Sequence, residues 1–274
     1  MLKRILSAII LIPVVFYSIF KLSLAYFTAL TFFIAFIAFS ESIFMVKNRF
    51  ATVKDRFIVF FSLFPILFFG VYFLKSGEYF KSGFLSTLIF FLCVSVFLFS
   101  KKLDVKTIFA SSFLSIAFYF YIFTFFGFAI LIRFNIDEKL GSFLVLLWLL
   151  INWFGDTFAY FGGRFFGKNR LSPVVSPKKT IEGTVFGILG GMAAGMLMYH
   201  FFLSNFPFLK LAFISILTQM IGQIGDLLES VIKRYFGVKD SSNLIPGHGG
   251  MFDRIDSLIF SAPFFYYFLK LLMV

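Results

Sequence analysis

FLKLAFISILTQMIGQIGDLLESVIKRYFGVKDSSNLIPGHGGMFDRIDS, residues 208–257, begins as an apolar run and turns polar at Asp226. The run reads as a membrane-crossing helix, because about 20 apolar residues rising about 1.5 Å each cover a bilayer core of about 30 Å. From Asp226 onward the chain gathers four aspartates (Asp226, Asp240, Asp253, Asp256), four basic residues (Lys233, Arg234, Lys239, Arg254), His248 and a glycine-rich turn. A carboxylate at or inside the end of a span costs several kcal/mol unless it is paired or holds a cation. Asp226 is therefore a functional candidate by default.

On a helix, Asp226, Ser230 and Lys233 share a face, being four and three residues apart. Asp253 and Asp256, three apart, share a face of whatever helix begins there. Three acids can thus converge from two helix ends, and carboxylate oxygens are the ligands magnesium takes. Between them PGHGG turns tightly, with backbone amides open to an anion such as a phosphate. Acids for a metal, with amides, lysines and arginines for phosphates, equip a site for nucleotidyl or phosphoryl transfer. Plainer readings stand beside this one. Lys233 and Glu229 form a helical i, i+4 pair, basic residues after a span serve as anchors, and Asp253 with Arg254 suits an ordinary surface pair. His248 suits packing, metal binding or proton transfer alike.

The run Ser230, Lys233-Arg234, Lys239-Asp240, Ser242, Ile245-Pro246, His248-Gly249-Gly250, Asp253-Arg254-Ile255-Asp256 resembles the signature of phosphatidate cytidylyltransferases, also called CDP-diacylglycerol synthases. The resemblance extends to SPKKTIEG, residues 176–183, and to the polar face Asn152-Asp156-Tyr160. Residues 1–140 match only in being hydrophobic. The resemblance implies that CTP and phosphatidic acid give CDP-diacylglycerol and pyrophosphate. Asp226, Asp253 and Asp256 would hold one or two Mg2+ ions, and Lys233 and Arg234 would join them in catalysis. Ser176, Lys178, Lys179, Ser230, Lys239, Asp240, His248, Gly249, Gly250 and Arg254 would bind substrate. Two further readings remain open: a CTP-dependent polyprenol or phytol kinase, and a cation-coupled transporter that keeps Asp156 and Asp226 within the membrane.

Composition points to the same class. The chain has 274 residues, 60% hydrophobic and 14% charged, with 49 Phe and a mean hydropathy of +0.97, the profile of an integral membrane protein. One cysteine, Cys93, excludes an internal disulfide framework and a cysteine-based zinc site. The expected fold is an all-α polytopic membrane protein with about nine spans: 5–20, 23–40, 57–74, 84–99, 108–132, 142–163, 183–203, 208–232 and 254–274. MLKR and the run behind it read as a retained first span, since no small-residue cleavage site follows.

A cytoplasmic N-terminus puts about 18 of the 25 basic residues on the inner side, and the C-terminus is then external. The net charge of +12 is accounted for by anchoring to anionic lipid and by phosphate-rich substrate, without nucleic acid. Residues 1–140 would form a lipid-facing structural bundle and 141–274 the catalytic region, with cytoplasmic loops 164–182 and 233–253. The expected location is the cytoplasmic membrane of a bacterium, with the site facing the cytoplasm; a homodimer is left open.

Span six carries Asn152 and Asp156 at i, i+4, with Tyr160 one turn on, a polar stripe that must face protein, water or a cation. Asp156 suits binding metal or substrate or neutralising a lysine of the site, and a supporting role behind the site is favoured. Gly162, Gly167 and Lys168 miss the phosphate-loop pattern, which needs Ser or Thr where Asn169 stands. In SPKKTIEG, Pro177 sets a bend, Thr180 caps the next helix, and Lys178 and Lys179 meet incoming phosphate. Gly183, Gly187, Gly191 and Gly195, four residues apart, let neighbouring helices approach closely.

Overall fold

The structure, a computed structural model, describes residues 2–50, 105–134, 136, 140–245 and 249–273. The expected spans 57–74 and 84–99, Cys93 and His248 lie outside the described residues. In order, the elements are α1 (Leu2–Lys21), α2 (Leu24–Phe50), α3 (Val105–Tyr119), a π-helical turn (Phe120–Phe125), α4 (Phe126–Phe134) and α5 (Gly141–Phe166). There follow β1 (Arg170–Ser172), β2 (Ser176–Thr180), α6 (Ile181–Phe201), α7 (Phe208–Tyr235) and α8 (Phe252–Met273).

Five described stretches are long and apolar enough to cross a membrane: Leu24–Val46, Phe113–Phe134, Gly141–Phe166, Ile181–Phe201 and Phe208–Tyr235. The protein is therefore mostly helical and of membrane-spanning composition. Among the described residues the helices are joined by an antiparallel hairpin β1–β2, paired Arg170↔Thr180 and Ser172↔Ser176, and by an isolated antiparallel bridge between Ile245 and Gly249.

The chain forms two compact units: Met1–Gly127 with Tyr235–Arg254, and Phe128–Arg234 with Ile255–Val274. In the first, aromatic rings carry the packing. Phe39 of α2, fully buried, lies edge-on to Tyr119 with ring centroids 5.8 Å apart and 5.6 Å from Phe123. Phe118 meets Phe236 at 6.1 Å and Phe252 at 6.2 Å. The expected second span ends at residue 40, whereas α2 continues to Phe50. Ser40-Glu41-Ser42 reads as a polar boundary in sequence; in the fold, bonded partners let the helix carry its carboxylate inside.

In the second unit, α5, α6, α7 and α8 supply the frame. The spaced glycines of α6 bring it against both neighbours. A Cβ on Gly187 would stand 3.1 Å from both Ala159 Cβ and Gly155 O, and one on Gly195 would run into Ser215 Oγ. Side-chain bonds join α5 to α8: Trp148 Nε1 donates to Ser261 Oγ at 2.9 Å, and Asn152 Nδ2 donates to Trp148 O at 2.8 Å and to Ser261 Oγ at 3.4 Å. Asn152 is thus a brace between helices.

Filling the contact at Gly195 forces helices apart or side chains off their rotamers. Gly195→Val is expected to cost about 1–3 kcal/mol, seen as a lower unfolding temperature of the purified protein in detergent. An unchanged unfolding temperature would show that α6 does not depend on this approach.

Candidate functional site

The second unit holds a cavity of about 550 Å³ whose wall comes from five elements: α5, β1, β2, α6 and α7. Local chemistry brings them together. After α5 the chain turns because Glu182 accepts from Lys168 N at 3.1 Å, Asn169 N at 3.2 Å and Asn169 Nδ2 at 2.9 Å. The amides beside the rejected phosphate-loop pattern are thereby committed to a protein carboxylate. Arg170 Nη1 donates across the hairpin to Pro177 O at 2.6 Å, and Arg234 Nε donates to Val175 O at 3.2 Å, bracing the hairpin tip from α7. Thr180 caps α6, its hydroxyl accepting from Gly183 N at 3.1 Å. The cap fixes where β2 ends, and so where Lys178 and Lys179 enter the wall.

Both signs of charge line this cavity. Arg164, Arg170, Lys178 and Lys179 contribute cations, while Asp156 and Asp226 contribute carboxylates. Tyr160 completes the α5 side, with Arg164 Nη1 donating to its hydroxyl at 3.4 Å. Lys179 Nζ pairs with Asp226 at 2.5 Å, each side chain about one-third exposed. Gln223 Nε2 donates to Thr184 O at 3.2 Å, holding α7 to α6 one turn above Asp226.

At Asp226 the cavity reaches an acidic cluster. One oxygen each of Asp226, Glu229 and Asp256 lie within 4.8 Å of one another. They come from α7 and α8, which touch because Gly225 has no side chain: a Cβ there would stand 2.5 Å from Phe260 Cβ and 3.0 Å from Asp256 O. Glu229 is fully buried and pairs with Lys233 at 2.6 Å. Three carboxylates this close repel, and Lys179 and Lys233 counter two of them. The donors are all hard oxygens, and opposite ligands of a Mg2+ ion lie about 4.2 Å apart, twice a bond of about 2.1 Å. The cluster could therefore hold such a cation with small adjustments.

The first unit holds the remaining expected residues in Tyr235–Arg254. Asp253 accepts from Ser241 N at 3.0 Å, Gly250 N at 2.8 Å and Ser241 Oγ at 3.1 Å. Where the sequence offers the glycine amides to a phosphate, that of Gly250 is engaged by this carboxylate. Gly249 takes a positive φ of 81°, and a Cβ there would lie 2.7 Å from Asp253 Oδ2. Glycine is required by both backbone and space. Lys239, Asp240 and Arg254 are exposed, and Pro246–His248 lie outside the described residues.

The structure thus brings Asp226, Asp256, Lys179, Lys233 and Asp156 into the second unit, near or in the cavity wall. Ser230 is buried on α7, and Ser176 opens β2. Sequence reasoning passed over Glu229, Arg164 and Arg170 as site residues. Glu229 carried a usable signal, since it stands three residues from Asp226 on the same helix. Arg164 and Arg170 carried none, because only the hairpin's register places them.

Membrane-length helices around a cavity lined by both cations and carboxylates are the features of a polytopic membrane protein. The chain belongs to the cytidylyltransferase family, whose sequence model matches residues 2–272. Among similar curated proteins, the phosphatidate cytidylyltransferase of Staphylococcus saprophyticus is 46% identical over 123 residues, 45% of this chain and 47% of that protein. That of Haemophilus influenzae is 44% identical over 136 residues, 48% of this chain and 47% of that protein. The matched stretch spans about half the length of these relatives.

The cluster predicts divalent-ion binding that depends on Glu229. Mn2+ titration followed by electron paramagnetic resonance is expected to show a bound ion in the wild-type protein and at least about tenfold weaker binding in Glu229→Gln. If Glu229→Gln binds as wild type while Asp253→Asn does not, the ion is held elsewhere.

Proposed function

We propose that the chain is a CTP:phosphatidate cytidylyltransferase that makes CDP-diacylglycerol for phospholipid synthesis. The observation that carries this reading is the cavity itself, where Arg164, Arg170, Lys178 and Lys179 share a wall with Asp226 of the acidic cluster. Family membership and the names of the similar proteins support it.

In this reaction a phosphate oxygen of phosphatidate attacks the α-phosphorus of CTP. A new P–O bond forms, the bond to the β-phosphate breaks, and pyrophosphate leaves. A phosphate monoester, with a second pKa near about 6, is already mostly dianionic at neutral pH and needs little help from a base. The obstacle is repulsion between two anions, so the protein must neutralise charge and hold the groups in line.

Lys178, Arg164 and Arg170, which line the cavity, would bind phosphate oxygens. Lys179 and Lys233, paired with Asp226 and Glu229 in this structure, would turn to phosphate as the carboxylates take up a cation. Asp226, Glu229 and Asp256 would hold Mg2+, which would supply the concentrated positive charge that lowers repulsion between the substrates. The family resemblance would give Lys239, Asp240 and Arg254 a part in substrate binding. Asp253 would fasten the segment that carries them, with Gly249 and Gly250 allowing its tight turn. Asn152 would hold α5 beneath Asp156. In this reading the protein spans a cytoplasmic membrane nine times with its N-terminus inside and C-terminus outside, and the cavity faces the cytoplasm, where CTP and a bilayer lipid both arrive.

Purified protein in detergent, given labelled CTP, phosphatidate and Mg2+, is expected to yield a lipid-extractable CDP product. The yield should fall by about 10²–10³-fold or more in Asp256→Asn. Transfer of a single phosphate to a prenol would reassign the protein as a CTP-dependent lipid kinase. Failure of well-folded wild-type protein to consume CTP with either lipid would overturn the proposal.

A further inference from the structure

We propose that Glu41, far from the cavity residues in sequence, is a positioning residue that holds the 241–252 loop in its working shape. It sits in α2 between FIAFS and SIFMV and is only 8% exposed. A carboxylate buried in such a helix is costly unless its oxygens are fully answered. Here they are answered four times. Oε1 accepts from Ser242 Oγ at 2.6 Å and Met251 N at 3.0 Å. Oε2 accepts from Ser241 Oγ at 2.9 Å and Phe252 N at 2.9 Å.

These donors come from both ends of one loop. Ser241 and Ser242 begin it, while Met251 and Phe252 end it at the start of α8, where helix N–H groups lack partners within the helix and favour negative charge. Within the loop, Ile245 N donates to Gly249 O at 2.9 Å, a backbone bond that narrows its neck. Ordering a stretch of chain costs conformational entropy, and Glu41 joins its two ends beside Asp253, which also accepts from Ser241 N and Gly250 N. A Cβ on Gly250 would stand 2.5 Å from Glu41 Oε2, so the glycine is what admits the carboxylate.

The bonding pattern makes glutamate specific. Each oxygen faces one backbone N–H, so a glutamine amide, whichever way it is turned, would set its NH2 against a donor that cannot reverse. Aspartate keeps the charge but is shorter by about 1.5 Å, too short to reach both ends. The loop lies between Asp240 and Asp253, and Lys239 and Arg254 flank it. The consequence for catalysis therefore rests on the function proposed above, while the consequence for the loop does not.

The test compares wild type with Glu41→Gln, Glu41→Asp and Ser242→Ala in detergent, by hydrogen exchange and by steady-state kinetics with CTP. In the two Glu41 variants, peptides covering 241–252 are expected to exchange about tenfold faster or more. Peptides covering the 176–180 strand should be unchanged. Per folded molecule, kcat/KM for CTP should fall about tenfold or more. Ser242→Ala leaves Met251 N and Phe252 N on Glu41 but takes the acceptor from Leu244 N, so it should speed exchange by less than either Glu41 variant and change kcat/KM by no more than about threefold. If Glu41→Gln fails to fold, the Ser241→Ala/Ser242→Ala double variant, which removes both serine bonds to Glu41 and leaves Ser241 N on Asp253, should show the faster exchange. Wild-type exchange in the loop of a folded Glu41 variant overturns the proposal. So does a variant whose folded fraction keeps wild-type kcat/KM, which would mark the residue as structural only. A wild-type protein that makes no CDP-lipid sinks the enzymatic reading, and the exchange data still decide the role of Glu41.

Discussion

An ionised carboxylate surrounded by apolar helices must be met by hydrogen-bond donors or by positive charge, and the arrangement of this protein follows from how each one is met. Glu41 and Asp253 accept bonds from backbone amides and serine hydroxyls, which makes them fasteners of irregular chain. Asp226 and Glu229 are paired with lysines. A lysine can be exchanged for another cation, whereas a backbone amide cannot leave. Carboxylates are thus answered by backbone amides and hydroxyls in one unit and by lysines in the other.

Small residues set the distances over which these charges act. Gly225 admits α8 to α7 at the level of Asp256, and Gly187 admits α6 to α5. With the helices so close, Thr180 can cap α6 in a position that brings the preceding lysines to the cavity. Lys178 and Lys179 therefore need no flexible arm to reach the cavity, because they are carried on a short hairpin tied down by Arg170 and Arg234.

Much of the helical frame was legible from hydropathy, because a helix in lipid must be apolar along its length. The expected spans 142–163, 183–203 and 208–232 correspond to α5, α6 and α7, and the spaced glycines lie at helix contacts. The cap at Thr180 was legible because capping is a local bond. The hairpin was not, since a proline-rich basic stretch with two three- to five-residue strands has no clear period. Glu229 was readable as a partner of Lys233, and its place beside Asp256 depends on a second helix. The continuation of α2 beyond the expected span was not legible, because a polar triplet in an apolar run looks the same whether it meets water or buried donors.

By itself the amino-acid sequence determined the membrane character of the chain, most of its described helices, and the stretch in which acids, bases and glycines are concentrated. These depend on hydropathy, on spacing along a helix and on local capping, all of which act over a few residues. Only the tertiary structure decided which carboxylates share a cluster, which cations line the cavity and which acid closes the loop. Each of these is a meeting of atoms far apart along the chain: Glu41 reaches donors 200 or more residues away. Hydrogen bonds and ion pairs are short-ranged and directional, so their partners are set by packing and not by order in sequence.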